Sequence, residues 1–145
     1  MIYLGVALAV VMSAAAPALA HEATLDHAGT SYRLRYEPKV EVRTKTVGHS
    51  FGTRPSTERC RWTMQVQVER HIQASDTAQP LSRLLPDTHS IGGEALGNCR
   101  QNARAIASAQ EAGQADIRSH VAAVASADRS VVLAEIDAAR ALALN

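Results

Sequence analysis

Three sets of side chains in this sequence are spaced so that they could do chemistry: two cysteines, a row of alternating cations and six histidines. Cys60 opens an alternating run with Trp62, Met64, Val66 and Val68, whereas Cys99 shares a helical spacing with Leu96, Ala103 and Ile106. Both patterns aim a sulfur at a core, so a Cys60–Cys99 disulfide is expected. It would close a loop of about 40 residues and stabilise by about 4 kcal/mol on the chain-entropy account. A nucleophilic thiol or a metal thiolate is the other chemistry open to these residues. Neither belongs to the Cys-x-x-Cys pair that such sites use.

The cations are Arg33, Arg35, Lys39, Arg43 and Lys45, which alternate with apolar or hydroxyl residues, and Arg61 in the next alternating run. Period-two spacing puts them on one outward face, against Glu41 and Glu69. Such a face can hold an anionic partner, for example a phosphorylated envelope glycan or an acidic protein surface. Lysine and arginine on a solvated sheet also discourage edge-to-edge aggregation, which is the structural role for the same residues. Nucleic acid is not expected as a partner. The net charge is only +1, and no aromatic residues are interleaved for base stacking.

His21 follows Ala18-Leu19-Ala20, a small-residue pattern that signal peptidase accepts, so processing would make it the first residue. A terminal histidine offers its amino group and one ring nitrogen to a single metal ion, and a second histidine completes a nitrogen site that suits copper. In this it is similar to the histidine-brace copper proteins. The second ligand would come from His27, His49, His71, His89 or His120, and no clustered histidine motif singles one out. Copper by way of His21 is therefore the one cofactor the residues raise, and otherwise none is expected.

Gly48-His49-Ser50-Phe51-Gly52 fits G-x-S-x-G. This resembles the nucleophile elbow of the α/β-hydrolases, with Asp87 and His120 later in the chain as acid and base. That chemistry needs the serine on a strand-to-helix turn. Thr53-Arg54-Pro55-Ser56 cannot open an amphipathic helix, so a plain turn is expected and Ser50 is a remote catalytic candidate. Glu135 with Asp137, and Glu111 with Asp116, are carboxylate pairs on what reads as a solvated helix face. Gly92-Gly93-Glu94 lacks the lysine of a phosphate-cradling loop.

The elements that must position these residues follow from the pattern. Residues 1–20 hold 17 apolar residues and end in the small-residue site, so a cleavable signal peptide is expected, without a lysine or arginine ahead of its apolar run. The stretch is shorter than the roughly 20 residues of a spanning helix, and the mature chain is expected in the periplasm or secreted, not membrane-spanning. Residues 21–145 then form a single α+β domain. Its larger apolar side chains are few, with Tyr32, Tyr36, Phe51 and Trp62 the only aromatics after residue 20, so a covalent staple matters.

Residues 21–72 read as strands. A hairpin turns at Ala28-Gly29, a further strand follows Pro38 from Lys39 to Val47, and another runs from Arg59 to Ile72. Residues 73–93, with Pro80, Pro86 and Gly92-Gly93, read as a connector carrying at most one helical turn at Leu81, Leu84 and Leu85. Residues 94–145 are alanine-rich and free of proline, and read as two or three helices, with breaks at Gly113 and near Ser126 or Asp128 as an N-cap. The expected architecture is an antiparallel sheet of three to four strands from the N-terminal half, covered on one face by those helices. The expected function is a small, exported, stapled and non-enzymatic module that binds an envelope component. The copper and serine readings are its alternatives.

Overall fold

The computed structural model describes residues 19–144. The expected signal segment therefore lies almost wholly outside the described residues; of it, Leu19 is partly buried against the core. Four strands, β1 (His21–His27), β2 (Thr30–Val47), β3 (Arg59–Ala74) and β4 (Leu81–Leu96), precede two helices, α1 (Ala103–Ala112) and α2 (Gln114–Ala143). The strands form one antiparallel sheet in chain order, β1-β2-β3-β4. The fold class is α+β.

The first turn falls where the sequence placed it. Ala28 at φ 48° and Gly29 at φ 82° give the two consecutive left-handed residues that match a two-residue hairpin to strand twist. Two other expectations are corrected. Residues 31–36 and 39–47 are one strand, not two, because β1 ends its pairing at His21 opposite Tyr36 and β2 continues as an edge past Pro38. An edge is where a residue without an N–H is tolerated. Beyond Tyr36, residues 37–47 of β2 have β3 on one side and, among the described residues, no strand on the other.

The second correction concerns residues 73–93, which hold most of a long strand instead of a connector. β4 pairs with β3 along nearly its whole length, and Pro86 is absorbed in a bulge where Leu85, Pro86 and Asp87 stand against Val68 alone. Gly93 lies opposite Trp62, and a Cβ there would come within 2.2 Å of the indole Cζ2, so the glycine leaves room for the aromatic. The helical segment accordingly starts at Ala103, not at residue 94.

Register assigns the faces. Of the even-numbered residues of β3, Cys60, Met64, Val66, Val68 and Arg70 are buried and Trp62 is half-buried, and Leu34 and Tyr36 of β2 lie beside Ile72 and Arg70. These side chains form one core with α2. Leu25, Leu34, Tyr36, Val66, Val68 and Leu85 cluster with Ile117, Val121, Val124, Val132 and Ile136. The helical spacing of the second group is what puts them on one stripe.

The break at Gly113 is present, though its φ of −73° and ψ of −10° barely leave helical geometry. The break expected near Ser126 is not, because α2 runs through it and Asp128 is buried instead of capping. Cys60 and Cys99 are joined, with Cα atoms 4.7 Å apart. Cys99 lies in the turn after β4, not on a helix, and its N–H donates to Thr46 Oγ1 at 3.1 Å. The staple thus ties β3 to the chain entering α1. No described helix is long and apolar enough to cross a membrane.

Candidate functional site: the outer face of the sheet

Odd-numbered residues of β2 and β3 point away from the core, which collects Arg33, Arg35, Lys39, Arg43, Lys45 and Arg61 on one exposed face. The alternation brings the expected cations together. It also interleaves carboxylates that the charge count alone did not place. Arg35 Nε stands 2.8 Å from Glu37, Lys39 Nζ 2.9 Å from Glu69, Arg43 Nε 2.8 Å from Glu41 and Arg61 Nε 2.8 Å from Glu94. Hydrogen bonds from Lys39, Arg43 and the Arg59/Arg61 pair hold the carboxyls of Glu69, Glu41 and Glu94 below their ordinary range. Most of the row is therefore a mosaic of exposed ion pairs, each worth little in stability and weak as an anion trap.

Among the described residues of the row, Arg33 and Lys45 have no carboxylate partner. Lys45 stands near the loop end of the β2–β3 hairpin. Arg33 is differently placed, near the start of β2, where β1 and β3 flank it as Thr24 and Gln73. Two adjoining clefts share Arg33 and Gln73. One, of about 220 Å³, is lined by Thr24, Ser31, Ser75 and Thr77. The other, of about 310 Å³, is lined by Glu22, Arg35, Glu37 and His71.

The hydroxyl cleft is held by its own backbone. Ser75 N–H donates to Ser31 O at 2.9 Å, Thr77 Oγ1 to Ala74 O at 3.3 Å and Gln73 Nε2 to Thr77 O at 3.3 Å. A guanidinium with no internal counter-charge beside three or four hydroxyls can donate to an anionic group and exchange hydrogen bonds with the polyol carrying it. Sequence reasoning found Arg33 as one of six. What distinguished it, the ion pairing of its neighbours, depends in part on the register that brings Glu69 and Glu94 beside Lys39 and Arg61.

The remaining candidates are dispersed. Ser50 lies exposed in the loop joining β2 to β3, so the strand it follows leads to another strand and not to a helix. His49 packs on Phe51, and Asp87 and His120 belong to β4 and α2. His21 is in β1 with its ring 6.3 Å from that of Tyr36, and its nitrogen is in peptide linkage with Ala20 in the described chain. Among the described residues no three His, Cys, Asp or Glu side chains are grouped to hold a metal ion. His89 stacks on His120 at 4.9 Å and bonds Asp116 at 2.9 Å, and His27 Nε2 is 2.6 Å from Asp137.

One charged group was missed altogether. Arg70 is 2% exposed, beneath α2. Its Nη1 donates to both Asp128 oxygens at 3.0 and 2.9 Å, its Nη2 donates to Glu135, and Arg83 donates to the other Glu135 oxygen. Tyr36 OH donates to Asp128 Oδ2 at 3.1 Å. Burial, followed by the Asp128 charge, pushes the Tyr36 phenol well above its ordinary value. Burial works to lower the Arg70 pKa, and the hydrogen bond and charge of Asp128 outweigh it. Glu135 is thus half-buried between two arginines, a correction to its reading as one of a solvated pair. The cluster joins sheet to helix and leaves no acid or base free to act.

The fold and these sites define a stapled α+β domain with a polar cleft on its sheet. No family model, curated protein or solved structure matches the chain.

Proposed function

We propose that this chain is an exported, non-enzymatic binding module, periplasmic or secreted, in which the two helices cover the inner face of the sheet and the outer face is left for recognition. Its ligand class is an anionic, hydroxyl-rich envelope component, a phosphorylated glycan above all, held at Arg33. The observation that carries this is the pair of polar clefts meeting at Arg33, which is flanked by strands on both sides and has no carboxylate partner among the described residues. Hydroxyls from β1, β2 and the turn after β3 surround a charge that has no carboxylate partner among the described residues.

Calorimetric titration of the purified protein with glucosamine 1-phosphate tests the reading, with glucosamine as the control. Arg33→Ala should lose the phosphosugar, Arg43→Ala, whose charge is spent on Glu41, should not, and binding should weaken with salt over a Debye length of about 10 Å at 0.1 M. Equal loss in the two variants, or an affinity indifferent to salt, would remove Arg33 as the site.

A further inference from the structure

A further cavity lies between the sheet and the last turns of α2, and meets the hydroxyl cleft of Arg33 at Ala74 and Thr77. Its volume is about 420 Å³, within the range of small-ligand sites. Tyr32, Ile72, Leu81, Ile136, Ala139 and Ala143 form its walls. Alanine at 139 and 143, one helical turn apart, leaves the hollow where larger side chains would have closed the core. Leu81 is 76% exposed at its lip, an apolar side chain left in water at the mouth of an apolar trough.

Two charged residues border this trough. Glu135 is spent, with one oxygen bound by Arg70 and the other by Arg83. Arg140 is not. Its Nη1 donates to Ala28 O at 3.1 Å, which fixes the guanidinium at the rim, and no carboxylate among the described residues pairs with it. The nearest acid along that face of α2, Asp137, is taken up by His27. The anchored guanidinium therefore has its Nε and Nη2 hydrogens to offer on one edge, the planar fork that matches a carboxylate.

We propose that this cavity binds a single-chain fatty acid, its acyl chain along the apolar trough and its carboxylate on Arg140. Charge and shape commit to that occupant. A single unpaired cation fits a single-charged head, and one trough fits one chain.

Titration of the purified protein with dodecanoate, followed by calorimetry and native mass spectrometry, tests it, with dodecanol and lysophosphatidic acid as comparison ligands. One-to-one binding of dodecanoate is expected. Arg140→Ala should weaken it at least about tenfold, the order expected for a lost charge-assisted hydrogen-bond pair, while leaving dodecanol unchanged. Ala139→Trp should fill the trough and abolish both, with unchanged circular dichroism reporting an intact helix. Absence of dodecanoate binding, an unaltered affinity in Arg140→Ala, or tighter binding of lysophosphatidic acid overturns the proposal. Arg33→Ala should bind dodecanoate as the parent does, so failure here is separable from failure of the phosphosugar site.

Discussion

Asp128→Ala is the substitution whose cost follows most directly from the geometry. It removes both oxygens that accept from Arg70 Nη1 and the one that accepts from Tyr36, at a residue 8% exposed. Arg70 cannot turn to water, because it is 2% exposed beneath α2 and its Nε already lacks a partner. Removing one member of a buried pair typically costs about 3–5 kcal/mol, since the other charge stays desolvated. Glu135 still holds Nη2, so the low end, about 3 kcal/mol, is expected. With a urea slope of about 1–3 kcal/mol/M for a protein of this size, the unfolding midpoint should fall by about 1–3 M. Arg70→Met combined with Asp128→Leu should recover most of that loss, because apolar replacements leave no orphaned charge. A loss below about 1 kcal/mol in Asp128→Ala, as for an exposed pair, or strict additivity of the two single changes, would refute the claim that this ion pair is desolvated.

Tyr36 makes stability fall in alkali. Its folded pKa is raised above the unfolded value of about 10, so the term is intact below pH 10 and is lost above it at up to about 1.4 kcal/mol per pH unit. Tyr36→Phe should flatten that slope in denaturation curves measured between pH 9 and 11. Replacing Cys60 and Cys99 together by alanine should cost about 4 kcal/mol by chemical denaturation, and a loss near zero would mean the unfolded chain is already constrained there. Gly93→Ala should displace the Trp62 indole and redshift its emission, since Trp62 is the sole tryptophan.

Period-two patterns made β1, β3 and most of β2 legible, together with the disulfide and the outward cations. β4 was hidden for a physical reason. Its bulge carries Pro86, its apolar residues fall as Leu81, Leu84 and Leu85, and Gly92-Gly93 reads as a loop until the Trp62 ring is seen to need the space. Arg70 was invisible because it takes an inward position of β3, in phase with Val66 and Val68, where a valine would fit the pattern. Only the long-range pairing with Asp128 explains a cation there. Arg33 and Arg140 share that difficulty, since what sets each apart is a carboxylate that is not beside it.

Every strand of the sheet pairs with its neighbour in the chain, whereas α2 reaches back 92 residues from Asp128 to Tyr36. Local hairpins close with little loop entropy, and the helix must wait for a long one. The register of β3 with β4 sets Cys60 opposite Ala95, only four positions short of Cys99. The hairpin thus delivers the two sulfurs to each other before any helix is needed. Oxidation can then lock the sheet while its apolar side is still bare, and Arg70 waits in water until Asp128 arrives. A chain ending before residue 128 would be an oxidised meander with an uncovered apolar face, prone to stick to its own kind.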